Sequence, residues 1–164
     1  MEKCRKCKKL TAINCDFNGN PTNFKFLYKC KNKKCGIFWW HRRILSKFDN
    51  KVPSSDRNKK IEKNIINELL IPDRNLKSRF IYVIKLDWRD GVNSVYVGES
   101  GRHPLTRYLQ HLRGYKSGRK HVTDFGKYLL TFKEVKNDST VSKIEEKKLA
   151  TQLSQKGYIV RGGH

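Results

Sequence analysis

Two apolar runs near the middle of the chain carry its clearest pattern. Phe80-Ile81-Tyr82-Val83-Ile84-Lys85-Leu86 and Val95-Tyr96-Val97-Gly98 are rich in β-branched and aromatic residues. Between them lies the turn-prone segment Asp87-Trp88-Arg89-Asp90-Gly91-Val92-Asn93-Ser94, so the three together predict a β-hairpin. Downstream, Leu105, Tyr108, Leu109 and Leu112 recur at i, i+3, i+4 and i+7, the spacing of one apolar helix face. Arg107 and His111, one turn from each other, share that helix's other side. Val122 to Leu130 predicts a short helix, and Leu129 to Val135 a third strand. After the turn Asn137-Asp138-Ser139-Thr140, with Ser139 or Thr140 as its cap, a helix is expected over about 140–156. Its apolar residues are Val141, Ile144, Leu149, Ala150 and Leu153, and Gly157 to His164 predicts a final strand and glycine turn.

The N-terminal third is patterned differently. All five cysteines fall in residues 1–48, as Cys4-x2-Cys7, Cys15 and Cys30-x4-Cys35-Gly36. Two close thiol pairs at the ends of an intervening hairpin can supply a tetrahedral zinc site. Asn18-Gly19-Asn20-Pro21 reads as a turn and Phe24 to Tyr28 as a strand between the pairs. This arrangement resembles a zinc ribbon, with Cys4, Cys7, Cys30 and Cys35 as ligands and His41 as the alternative should Cys30 or Cys35 not serve. Cys15 is expected as a buried apolar residue or spare thiol. A module this small buries too little apolar surface alone, so the metal would supply folding energy. Phe38-Trp39-Trp40 is expected to cap the module or seat it, leaving Arg42 and Arg43 to meet phosphates. Asp49 to Asp56 has the turn chemistry of a linker. Ile61, Ile65, Ile66 and Leu69 predict a short amphipathic helix over about 56–70, ended by Pro72. The expected division is a zinc-ribbon-like module at 1–48, linker and helix at 49–78, and a second domain at 79–164.

Charge narrows the partner. Against 15 acidic residues stand 37 Lys and Arg, a formal net charge of +22. That excess makes polyanion binding the first expectation, with a ribosomal-type or membrane-surface protein as the plainer alternatives. No apolar run approaches the ~20 residues needed to span a bilayer, and Met1-Glu2-Lys3-Cys4 lacks the apolar core of a signal peptide. An intracellular, cytoplasmic location is therefore expected, in which close cysteine pairs more often mean metal than disulfide. Gly114 to His121, with Lys116, Arg119 and Lys120 among glycines, is expected as a phosphate-contacting loop.

The stretch from Phe80 to His111 resembles the GIY-YIG nuclease family. Ile81-Tyr82 stands where the first motif's Ile-Tyr would be, with Phe80 in place of its Gly, and Tyr96-Val97-Gly98 matches the second motif with Val for Ile. Arg107 with His111 matches the helix that follows in restriction-type members, and a helical Glu comes later. The resemblance covers roughly residues 79–164. It implies an α/β (α+β) domain, a three-stranded antiparallel sheet flanked by helices, and hydrolysis of phosphodiester bonds in double-stranded DNA with Mg²⁺ or Mn²⁺. It also implies Tyr82 as leading general-base candidate, Tyr96 and His111 assisting, Arg107 on the phosphate, and one Glu on the metal. Glu146, followed by Leu149 and Ala150, fits that Glu better than Glu145. Many members place an Asn after this helix, but none occurs here after Asn137; Arg161 or His164 could stand in. The activity expected is that of a restriction, phage or mobile-element endonuclease, prokaryotic or phage-encoded and acting as monomer or homodimer. The rival is a non-catalytic zinc-containing nucleic-acid-binding protein.

Overall fold

The computed structural model describes residues 2–23, 25–41, 44, 77–88, 91–114 and 120–162. The chain divides into two compact units, Met1–Pro72 and Asp73–His164. The expected helix at 56–70 and linker at 49–56 lie outside the described residues. No helix among the described residues is long and apolar enough to cross a membrane.

The first unit contains three short antiparallel strands in the order β1-β2-β3: β1 (Ala12–Asn14), β2 (Leu27–Cys30) and β3 (Phe38–Trp40). The Asp16 carboxylate shapes the turn after β1 by accepting from the Asn18 and Asn20 amides, both at 2.9 Å. Gly19 there has φ +81°, a conformation that favours glycine. The strand expected at Phe24–Tyr28 begins later, at Leu27, because its residues pair with Trp40, Trp39 and Phe38. The two tryptophans are therefore core rather than cap. Trp39 is buried and stacks on Tyr28 with centroids 5.6 Å apart, while Trp40 meets Phe17 edge-on at 6.1 Å. Cys15 is buried, as expected of a spare thiol, and burial pushes its pKa up to about 12.

The second unit is mixed α/β. The hairpin forms from β4 (Arg79–Asp87) and β5 (Asn93–Ser100), with Tyr82 opposite Gly98. Then follow α1 (Pro104–Leu112), α2 (His121–Phe125), β6 (Gly126–Val135), α3 (Ser139–Gln155) and β7 (Ile159–Arg161). Within this unit the strand order is β6-β4-β5-β7. The expected three antiparallel strands are all there, but the sheet is wider. β7 adds a fourth strand, parallel to β5, with Ser94 opposite Ile159 and Tyr96 opposite Arg161. A parallel neighbour needs a crossover connection. Here α3 ends, Gly157 turns with φ +91°, and the chain runs back along β5.

Alternation along the strands gives the sheet two buried faces. On one, Ile81, Val83, Val95 and Val97 pack with Ala150 and Leu153 of α3. On the other, Phe80 lies beside His103 and Tyr82 beside His111, both at α1. His103 caps α1, its Nδ1 accepting from the Leu105 amide at 3.1 Å, and Pro104 opens the first turn.

α1 is buried on more than its apolar side, since Thr106, Gln110 and His111 are buried along with Leu105, Tyr108 and Leu109. Three local expectations are corrected. The helix expected over 122–130 stops at Phe125. The strand starts at Gly126, where a Cβ would stand 2.6 Å from the Val122 carbonyl oxygen. Asp138, not Ser139 or Thr140, caps α3, accepting from the Thr140 and Val141 amides at 2.8 and 3.2 Å. The buried stripe of α3 is Ser142, Glu146, Ala150 and Leu153, so Ile144 is turned outward and 59% exposed.

Candidate active site

Tyr82 projects from the middle of β4 against α1, and its hydroxyl lies 2.8 Å from His111 Nε2 in a fully buried contact. Tyr96 of β5 is the third ring of the group, 6.3 Å from Tyr82 and inclined to it by 30°, and 5.0 Å edge-on to His111. Two glycines make room for these rings. A Cβ on Gly98 would sit 2.5 Å from the Tyr82 hydroxyl, and one on Gly162 would sit 2.6 Å from Tyr96 Cε2. The glycine of Tyr96-Val97-Gly98 is thus needed for the opposite strand's tyrosine, a close approach only a missing side chain permits.

Burial decides the protonation of this group. It raises both phenols above their ordinary pKa; Glu146's charge adds to the rise, and Arg107's opposes it through its charge and, at Tyr82, a hydrogen bond. Burial, helped by Arg107, lowers His111 to about 3, so the imidazole is neutral at ordinary pH. Its Nδ1 is buried without a hydrogen-bond partner. Arg107 is half-buried one turn before His111 and donates to Gln110 Oε1 at 3.1 Å.

Glu146 enters from α3. It occupies a position in the stripe that packs on the sheet and is only 3% exposed, and its Oε1 is buried without a partner. Burial first, and Glu99 second, raise its pKa to about 7. A carboxylate in an apolar stripe costs free energy unless something neutralises it, and an unpartnered carboxylate oxygen is the donor type a hard divalent cation takes. Glu145, the alternative, points elsewhere, paired with Lys133 at 3.2 Å. The structure brings Tyr82, Tyr96 and His111 into direct contact, with Arg107 and Glu146 within electrostatic reach of both phenols.

One part of this neighbourhood escaped the sequence reading. Arg79, at the start of β4, binds Glu99 of β5 through Nη2 at 2.6 Å and Nε at 3.0 Å. Ser142, one turn before Glu146, donates to the same Glu99 oxygen at 2.9 Å and meets Arg79 Nε at 3.1 Å. The one local signal was Glu99 directly following the motif glycine.

The four cysteines in the first unit form a separate centre. The sulfurs of Cys4, Cys7, Cys30 and Cys35 all lie within 4.8 Å of one another. Cys4 and Cys35 Sγ are 3.6 Å apart, and Cys7 and Cys30 3.8 Å. A tetrahedron with Zn–S bonds of ~2.3 Å has edges of roughly 3.8 Å, so the set can hold a metal such as zinc. Thr11 Oγ1 lies 3.0 Å from Cys30 Sγ, placed to donate to a thiolate. In the metal-free chain burial pushes Cys4 up to about 12, while the Lys9 backbone hydrogen bond draws Cys7 down to about 6.

Of the residues expected to meet nucleic acid, Lys120 is exposed just before α2, with φ +60°. Arg42, Arg43, Lys116 and Arg119 lie outside the described residues. So does His164, one suggested stand-in for the family Asn. The other, Arg161, stacks on Trp88 at 3.7 Å and donates to Ser94 at 3.4 Å. No family model, curated protein or solved structure matches the chain.

Proposed function

We propose that the chain is a metal-dependent endonuclease that hydrolyses phosphodiester bonds in DNA, with a zinc ion on Cys4, Cys7, Cys30 and Cys35 serving only structure. The observation that carries this reading is the buried Tyr82–His111 hydrogen bond with the Tyr96 ring against it, within electrostatic reach of a buried carboxylate whose Oε1 has no partner. Packing alone does not account for that set: a Leu at position 146 would fill the stripe without the cost of a buried acid.

Each residue has a distinct task in this proposal. Arg107 holds non-bridging phosphoryl oxygens with its permanently charged planar fork. Glu146 is the ligand for Mg²⁺ or Mn²⁺, which when bound supplies Lewis acidity at the phosphate. Tyr82 is a neutral phenol at rest, so it works as a relay, taking a proton from the attacking water while its own passes to His111 Nε2. A bound phosphodiester offsets the Arg107 charge that helps hold His111 down, so substrate itself makes the imidazole a better acceptor. Tyr96 walls the relay from water.

The test is incubation of supercoiled plasmid with the protein and Mg²⁺ or Mn²⁺. Wild type should nick or linearise it. Glu146→Gln should cut ~10²–10³-fold more slowly, the scale of losing one strong transition-state stabiliser, while binding DNA within about twofold of wild type. A wild-type protein that shifts DNA on a gel but never cuts it leaves the non-catalytic binding reading. Full activity in Glu146→Gln with loss in Glu145→Gln would move the metal to the neighbouring acid.

A further inference from the structure

The first unit has a second feature besides its thiols: a concavity of about 420 Å³ between the β1–β2 hairpin and the second cysteine knuckle. Register sets Ile13, Lys29 and Phe38 side by side across the three strands, and Ile13 and Phe38 form the apolar floor. Lys29, Lys31 and Lys33 line it together with Gly19, Gly36 and the zinc-ligand candidate Cys30.

The lysines are arranged rather than merely present. Lys29 is half-buried. Its stem crosses Gly19, where a Cβ would stand 2.9 Å from Cδ and 2.6 Å from Nζ, and its ammonium lies 5.3 Å over the Phe38 ring. Gly19 therefore serves two ends, a positive-φ turn and a channel for this side chain. A lysine held along its stem has lost much of the rotamer freedom that binding would otherwise cost. Lys31 and Lys33 are exposed at the rim. Among the described residues none of the three forms an ion pair. The nearby acid, Asp16, is spent inside its own turn, accepting from the Asn18 and Asn20 amides and the Asn20 side chain.

From this geometry we infer that the concavity is a docking site for the phosphodiester backbone of nucleic acid, with Lys29 as its pre-positioned cation and Lys31 and Lys33 on flanking phosphates. Three ammonium groups lining one hollow repel one another. A chain of regularly spaced phosphates relieves that repulsion and releases its own counterions, which a single small anion cannot match. The inference rests on the nucleic-acid half of the reading above and not on cleavage.

The experiment uses the full zinc-loaded chain without divalent cation. A fluorescent duplex of mixed sequence is titrated at several NaCl concentrations, and anisotropy gives Kd and its salt slope. The variant Lys29→Gln/Lys31→Gln/Lys33→Gln is compared with Lys136→Gln/Lys148→Gln/Lys156→Gln, which removes the same charge from exposed positions of the other unit. Expected is a loss of affinity at least ~10-fold greater than in the control, and a slope of log K on log salt shallower by about two to three, near one per lost phosphate contact. Equal effects in the two triple variants overturn the proposal. Where the first variant loses its zinc, Lys31→Gln and Lys33→Gln singly decide it: each should lower the slope by about one, and no change in either sinks the idea. Inorganic phosphate that displaces duplex from wild type but not from the triple variant makes this a small-anion site and equally overturns it. A wild-type chain that binds no duplex fails the broader reading instead.

Discussion

Both units bury polar atoms, but they do so under different constraints. In the first, the strands are three and four residues long, and four sulfurs, three of them from outside the strands, lie within 4.8 Å of one another. In the second, strands of nine, eight and ten residues and a helix of 17 build a continuous apolar core. A phenol, an imidazole and a carboxylate are set into that frame. The described part of the small unit has short strands and brings its thiols to a place where a metal can cross-link them. The larger one has packing to spare and can hold groups in costly states, as sites poised for chemistry do.

Removing the metal tests the first half of that contrast and should give the largest effect. A structural zinc site contributes on the order of 10 kcal/mol to folding. A strong chelator, or Cys30→Ser, should abolish amide-exchange protection in β1 to β3 while β4 to β6 keep theirs. Simultaneous loss in both units would show that the division is not an energetic one. Unchanged protection in the first would show that its core suffices alone.

The second unit's buried groups set its pH dependence, and the signs oppose. The folded pKa of His111 is depressed from 6.5 to about 3, so its stability contribution is complete above 6.5 and is lost as pH falls from there toward 3. That of Glu146 is raised from 4.5 to about 7, so its contribution is complete below 4.5 and is lost as pH rises through 7. Each group's own term amounts to about 3–5 kcal/mol at 1.36 kcal/mol per pKa unit, and shows at full size only when the other group is removed. The two windows overlap between 4.5 and 6.5, where the slopes cancel, so denaturant titration of the zinc-loaded chain without Mg²⁺ or Mn²⁺ should show a broad stability plateau over that range, falling away on either side. Glu146→Gln should flatten the alkaline limb and His111→Gln the acid one. A curve with neither limb would mean that these side chains are solvated, and that the larger unit holds nothing in a costly state.

A smaller effect comes from the space between strands. Gly98→Ala places a methyl 2.5 Å from the Tyr82 hydroxyl. Because the obstacle is a ring locked to His111, the ring must move, at a cost of about 1–3 kcal/mol. Its thermal midpoint should fall, and cleavage should fall further than folded fraction explains. Gly91→Ala, with φ +69° but nothing within 4 Å, separates backbone strain from this steric clash. Equal losses in the two variants would mean that Tyr82 yields freely.

How much of this was readable in the sequence follows from the range of the interactions. The hairpin and α1 were legible because periodicity and turn chemistry are local. Glu146 was legible through the resemblance. Its burial was not, because the apolar residues counted along α3 included Ile144, which points to solvent, and omitted Ser142, which does not. The final strand was expected and forms, but its place as a fourth strand parallel to β5 was not legible, because three residues, Ile159-Val160-Arg161, carry no signal for the partner they choose. The burial of α1's polar side was also invisible, since Thr106, Gln110 and His111 look like a solvated face until the sheet and its tyrosines are placed against them.

The network on Glu99 was out of reach for the same reason, and it gives the finest probe of the contrast. Arg79 and Ser142 are 63 residues apart and meet at one carboxylate oxygen. Ser142 and Glu146 lie one turn apart on the same buried stripe, so a hydroxyl bound to Glu99 can set the roll of α3 and with it the place of Glu146. Ser142→Ala removes a single hydrogen-bonding group and should cost about 1–1.5 kcal/mol. If the second unit spends its packing on aiming this side chain, the variant should need several-fold more Mn²⁺ for half-maximal cleavage. Its rate at saturating metal should stay near wild type, and Ser142→Thr should restore much of the difference. A loss of stability with unchanged metal dependence would make the network ordinary fold, no different in kind from the hydrogen bonds of the first unit. The proposed aim of Glu146 would then have to come from the packing of Ala150 and Leu153 alone.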